Sequence, residues 1–204
     1  MPGTKASEST RREQILSAAY AVAARRGLQG TRIQEVAEHA GVSHGLVLFY
    51  FKSKRGLLLA LLDWLLATTT VLHVGRDIIR LRSPAARLQA LLRQEMNRLS
   101  NEPVRIRLTF DFWTAGIRDA EIRLKMQQEL QRYRDAFRPL ATSVLAGDPV
   151  QFRGVTADGL AAVSVSVIKG CAVQAMIDPE HFDIRQFLAA TESLMALMLR
   201  PAAA

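Results

Sequence analysis

Between Thr31 and Phe51 the chain sets two apolar helical runs almost end to end, with Gly41 between them. In Arg32–Ala40, Ile33, Val36, Ala37 and Ala40 recur at helical spacing, and Val47 lies on the inner face of the next run, His44–Phe51. Two helices joined this tightly need a small residue where they cross. They also need a residue that accepts positive φ in the turn and an apolar residue facing inward on the second helix. Ala37, Gly41 and Val47 meet these demands in order. Thr31 and Gln34 have the spacing of a capping box for the first helix, and Ser43 is placed to cap the second. The segment therefore predicts a helix-turn-helix hairpin. The spacing alone also fits helical hairpins that never touch nucleic acid.

Helical periodicity continues along the chain, and 12 Gly and 7 Pro in 204 residues leave few breaks. Arg11–Arg26 carries Ile15, Ala18, Ala19, Val22 and Ala23 on one face, and Gly27 stands where a helix C-terminal glycine belongs. A fourth helix is expected from Ser53 past Trp64 towards Val74. Further starts fall at Ser83-Pro84 and Glu102-Pro103, with a break at Gly116. Asp119–Leu145 reads as a long charged helix in which Pro139 predicts a kink or an early end. Thr156–Ile177 and Ile184–Leu199 complete the series. The expected fold is all-α with about nine helices: a disordered tail over 1–10, a three-helix module over 11–52 and a larger bundle over 53–200.

The formal net charge is +8, and residues 1–56 contribute +5 of it, which points to a polyanionic partner for the N-terminal module. A merely solubilising surface charge is the alternative. The single cysteine, Cys171, excludes an intramolecular disulfide. Met1–Gln14 lacks an apolar signal core, and the apolar windows Leu57–Leu72 and Gly159–Ile177 contain Asp63, and Lys169 with Gln174. Both read as buried helices of a cytoplasmic protein with no membrane partner. There is no Gly-rich phosphate loop, no metal-ligand spacing among His39, His44, His73 and His181, and no nucleophile motif. The expectation is a protein that is not an enzyme and carries no metal or cofactor.

Lys52-Ser53-Lys54-Arg55 follows the second helix of the hairpin, a basic cluster where a phosphate can dock. Gly41-Val42-Ser43-His44-Gly45, Tyr50-Phe51-Lys52-Ser53-Lys54 and Leu57-Leu58 together resemble the signature of TetR-family repressors. Ile168-Lys169-Gly170-Cys171-Ala172-Val173-Gln174 with Asp178-Pro179 is more loosely similar to the BetI-like branch.

The resemblance implies a homodimeric transcriptional regulator that binds a palindrome in double-stranded DNA and responds to a small-molecule effector. It implies a recognition helix over Ser43–Phe51, with His44, Gly45 and Leu46 facing bases. Phe49 and Tyr50 match positions that touch the phosphate backbone. Lys54 matches a phosphate-binding lysine, and Thr31 and Arg32 match backbone-contacting positions; Lys52 joins them as part of the basic cluster. Leu48 stands where many members place tyrosine, so Leu46 and Leu48 either meet thymine methyls or one of them is core. The expected dimer interface includes Ala162, Ser166, Phe187, Thr191, Leu194 and Met198. A ligand pocket is expected around Phe110, Trp113, Met126, Tyr133, Phe137 and Gln174, although each of them taken singly reads more readily as core. Asp111 beside these aromatics either favours a cationic ligand or is a solvated carboxylate. An activator, or a ligand-independent architectural DNA binder, has the same sequence features.

Overall fold

The computed structural model describes residues 7–68, 75–147, 150 and 152–198, apart from the side chains of residues 68, 99, 100 and 198. The described residues form ten helices and no strands. They are α1 (Glu8–Gly30), α2 (Ile33–Ala40), α3 (His44–Phe51), α4 (Lys54–Thr68), α5 (Arg76–Arg80), α6 (Pro84–Ser100), α7 (Pro103–Gly116), α8 (Ala120–Gly147), α9 (Ala157–Ile177) and α10 (Ile184–Met198). The helix beyond the expected nine is α5, five residues with Ile78 buried, too short to leave a periodic signal. The expected extension of α4 to Val74 falls outside the described residues.

The chain divides into two compact units. Met1–Thr69 with Val104–Met126 form the first, and Thr70–Pro103 with Gln127–Ala204 the second. In the first, α1 starts at Glu8 rather than Arg11, because the Ser7 hydroxyl accepts the Thr10 N–H at 3.1 Å and caps the helix. The chain breaks from helical geometry at Gly27, φ 69°, where the sequence predicts the helix to end. The face of α1 bearing Ile15, Ala19, Val22 and Ala23 is buried against α2 and α4. Leu57, Leu61, Leu62 and Leu65 of α4, with Leu108 and Phe112 of α7, complete this core. Aromatic and polar contacts fix the rim. Trp64 stacks on Tyr20 at 5.7 Å and donates its indole N–H to Glu13 at 2.6 Å.

In the second unit, α6 packs on α5, α9 and α10, and α9 packs on α10. Leu88, Leu91 and Met96 of α6, Tyr133 and Phe137 of α8, and Ala161 and Ile168 of α9 are buried. By length and composition, α9 is the one helix among the described residues able to cross a membrane. Of the kink or early end expected at Pro139, the early end does not occur: helix α8 continues through it to Gly147. Pro139 is exposed, so the carbonyl that loses its N–H partner lies on the side where water can satisfy it.

Candidate nucleic-acid interface

The hairpin of α2 and α3 is built by local chemistry. Gly41 adopts φ 63°, ψ 35°, the left-handed conformation that glycine accepts without a Cβ penalty. Its N–H bonds the Glu38 carbonyl at 3.1 Å, and the Val42 N–H bonds the Ala37 carbonyl at 3.0 Å. This double bond pattern closes a helix C-terminus and reverses the chain. Gln14 of α1 donates to the Ala40 carbonyl at 2.6 Å and satisfies another open acceptor. Ser43 then starts α3, its hydroxyl accepting the Leu46 N–H at 3.2 Å. Val36, Ala37, Ala40, Val47 and Phe51 are buried between the helices.

The capping box expected at Thr31 does not form. Thr31 is fully buried and its hydroxyl donates to the Gly27 carbonyl at 2.8 Å, while Arg32 occupies the N-cap of α2 with no side-chain cap bond. The Thr31 hydroxyl instead bonds back to the carbonyl four residues earlier, at the end of α1. Gln34 donates instead to Glu38 at 2.9 Å.

The remaining residues expected at DNA are spread unevenly. Arg32, Ser43, His44, Gly45, Phe49 and Lys52 are exposed, and Leu46, Leu48, Tyr50 and Lys54 are half-buried. Neither Leu46 nor Leu48 is a core residue. Lys54 donates to the Gln29 carbonyl at 2.6 Å, in the last turn of α1. Lys52 ends α3 with φ 64°, a strained conformation for a side-chain-bearing residue. Its ammonium caps the helix by donating to the Phe49 carbonyl at 2.8 Å.

Two supports of this hairpin escaped the sequence reading. A Cβ at Gly56, in the first turn of α4, would run into the Phe51 carbonyl oxygen, so glycine is needed for the close approach of α4 to the end of α3. Arg55 forms ion pairs with Asp119 and, at 3.0 Å, with Glu121. The Arg55 hydrogen bond is the main cause that pulls the Asp119 carboxyl down to about 2. The signal for Gly56 was a glycine three residues after a capping serine, inside a leucine-rich helix.

The residues expected to line a ligand pocket are divided between the two units. In the first, Phe110 and Trp113 form an edge-to-face pair at 5.2 Å, Met126 is core, and Asp111 is half-buried. Asp111 sits on the wall of a cavity of about 830 Å³ floored by Phe112 and Leu58 and edged by Arg26, Arg118 and Lys54. Burial pushes its carboxyl up, opposed by Arg107. In the second unit Tyr133 and Phe137 are fully buried and Gln174 is exposed.

Around Tyr133 lies a buried ionic cluster that sequence reasoning missed. Arg98 donates to Glu95 at 2.8 Å and to the Tyr133 hydroxyl at 2.8 Å, Arg132 pairs with Glu129 at 2.6 Å, and the Lys169 ammonium lies 4.3 Å from the Tyr133 ring centroid. Burial pushes the Tyr133 phenol up to about 12 and also raises Glu129. The clue was Glu95 on the same helical stripe as Leu88, Leu91 and Leu92.

Of the expected dimer residues, Ala162, Phe187 and Thr191 are half-buried, Ser166 is exposed and Leu194 is 62% exposed. The side chain of Met198 lies outside the described residues.

Comparison with known proteins places this architecture. Residues 15–61 match the family described as bacterial regulatory proteins, tetR family, and residues 84–200 match the BetI-type transcriptional repressor, C-terminal family. The chain is 27% identical over 196 residues to the HTH-type transcriptional regulator BetI of Serratia proteamaculans, covering 93% of each. Solved structures that share the fold include two with bound ligands. A transcriptional regulator from Saccharomonospora viridis in complex with choline has a TM-score of 0.74 at 19% identity, with 93% of this chain and 97% of that one covered. The regulator FadR from Bacillus subtilis in complex with stearoyl-CoA has a TM-score of 0.69 at 18% identity, with 92% and 97% covered. With a capped helix-turn-helix at one end and a BetI-type region over most of the remainder, the chain belongs to the tetR family of DNA-binding transcriptional regulators.

Proposed function

We propose that the protein is a homodimeric repressor that reads a palindromic operator with α3 and is released by a small-molecule effector. The observation that carries this reading is the outer face of α3. It presents His44, Gly45 and Phe49 to solvent beside Lys52, on a hairpin whose other face is sealed in the core. A helix offered this way fits the major groove, with Arg32, Lys52 and Lys54 at its ends for phosphate contacts. Lys54 would exchange its bond to the Gln29 carbonyl for a phosphate oxygen; Thr31, buried, would act by holding the start of α2. In this reading 11–52 reads DNA, and 53–200 pairs the subunits and takes the effector.

Dimerisation is supported by exposed apolar side chains on the last two helices, Val163 and Ile177 on α9 and Leu194 and Leu197 on α10. A two-fold axis there would set two copies of α3 about 34–36 Å apart, one turn of DNA. Effector binding is supported by the choline and stearoyl-CoA complexes of proteins with this fold. An effector that favours a dimer with the wrong α3 spacing releases DNA by population shift. The protein acts in the cytoplasm, as a regulator rather than an enzyme.

The test is fluorescence anisotropy with the upstream intergenic duplex and a scrambled duplex across a salt series. Saturable preference for the native duplex supports the reading. Equal, steeply salt-dependent binding to both contradicts a specific upstream operator.

A further inference from the structure

Helix α3 runs His44-Gly45-Leu46-Val47-Leu48-Phe49-Tyr50-Phe51 and contains no Arg, Lys, Asn, Gln, Asp or Glu. Those are the side chains that read guanine, adenine and cytosine edges by hydrogen bonds in the major groove. Two of the polar groups that flank α3 are engaged within the chain, and His44 is exposed at its first turn. The Ser43 hydroxyl caps Leu46, and the Lys52 ammonium bonds the Phe49 carbonyl.

Val47 and Phe51 face the core. At about 3.6 residues per turn the opposite side of α3 is centred on Gly45 and Phe49. A Cβ at Gly45 would meet open space, so nothing on this protein shields the backbone there from a close approach. Phe49 is 66% exposed, a large apolar side chain that contributes little to its own core. Its ring is nonetheless held, edge-to-face with Tyr50 at 5.4 Å and under the Lys52 ammonium at 5.2 Å. An apolar ring fixed at the apex of the helix matches the one apolar feature of the groove, the thymine C5-methyl.

Taking α3 as the groove-reading helix proposed above, we propose that Phe49 is the principal specificity-determining residue and reads thymine methyl groups, with Leu46 beside it. The half-site is then defined by apolar contact, with His44 supplying a hydrogen bond at the N-terminal end. Phe49 in this role faces base edges instead of the phosphate backbone.

The test starts with full-length protein and a random pool of duplexes, from which binding sequences are selected. The selected duplex is remade with deoxyuridine at each thymine in turn, which deletes a methyl and leaves every phosphate and hydrogen-bonding group in place. Each contacted methyl removed should weaken binding about fourfold, and replacing the symmetry-related pair should weaken it by roughly tenfold or more, with the salt slope unchanged. Phe49→Ala should lose most of the discrimination between the thymine and uracil duplexes, and Phe49→Leu should retain more of it. Circular dichroism should match wild type for both variants, as expected for an exposed position. Equal binding of wild type to the two duplexes overturns the inference, as does full discrimination by Phe49→Ala. A pool from which no sequence is enriched overturns the DNA-reading proposal itself, and the inference with it.

Discussion

Replacing Lys169 by methionine should change how the protein's stability depends on pH. The Lys169 ammonium lies over the Tyr133 ring, and its pKa is pulled from the usual 10.5 to about 8. Burial is the main cause; Glu129 opposes it, Arg98 adds to it and Glu95 opposes it. In the unfolded chain this lysine titrates at its ordinary value. Between about pH 8 and pH 10.5 the unfolded state therefore holds a proton that the folded state has released, and stability must rise with pH across that window. Below it both states are protonated, and the folded protein carries the whole cost of the buried charge. At about 1.4 kcal/mol per pK unit, moving from about pH 7.5 to about pH 9.5 should recover about 2 kcal/mol in wild type. Lys169→Met lacks this gain. Urea unfolding followed by far-ultraviolet circular dichroism at the two pH values gives the difference, and other titrations common to both proteins cancel. Parallel pH dependences, agreeing to within about 0.5 kcal/mol, would refute the claim that this ammonium is desolvated on folding.

Other substitutions probe the hairpin and its supports. Gly56→Ala puts a Cβ against the Phe51 carbonyl and should destabilise the first unit by about 2 kcal/mol or more, read as a lower denaturation midpoint together with lost DNA binding. Ser43→Ala removes the cap on α3 and should cost about 1 kcal/mol in the same assay; no change would mean that the cap is replaced by water at no cost. Lys54→Ala should weaken binding to specific and scrambled duplexes alike and lower the salt slope by about 1, whereas an unchanged slope removes Lys54 from the phosphate contacts.

What was legible in the sequence was what is decided locally. The all-α class and the α2–Gly41–α3 turn follow from periodicity and from one glycine, and the turn bonds from Gly41 and Val42 confirm the reading. The capping box failed because the Thr31 hydroxyl bonds back to the Gly27 carbonyl at the end of α1 rather than forward into α2, a choice that residue spacing does not specify. The early end did not occur at Pro139 because the cost of a proline depends on which side of α8 meets solvent. Gly56 and the Glu95–Arg98–Tyr133 cluster depend on distant packing, so their chemistry was visible only as single residues out of pattern. Aromatic and methionine side chains on helices line cores and cavities alike, so their presence does not locate a pocket. Tyr133 and Phe137 are packed solid, while the cavity in the first unit is edged by arginines and Lys54.

The central claim is that α3 lies in the major groove of a two-fold operator. His39 is exposed at the end of α2, beside the turn into α3 and outside the residues proposed to touch DNA, which makes it the place for a reporter. A His39→Cys variant in a Cys171→Ala background, labelled with an iron chelate, would cleave the bound, selected duplex wherever the hairpin lies. Cuts confined to two short windows about one helical turn apart and related by two-fold symmetry are expected. Cuts scattered along the duplex, or binding with no cleavage near the protected site, would contradict that claim.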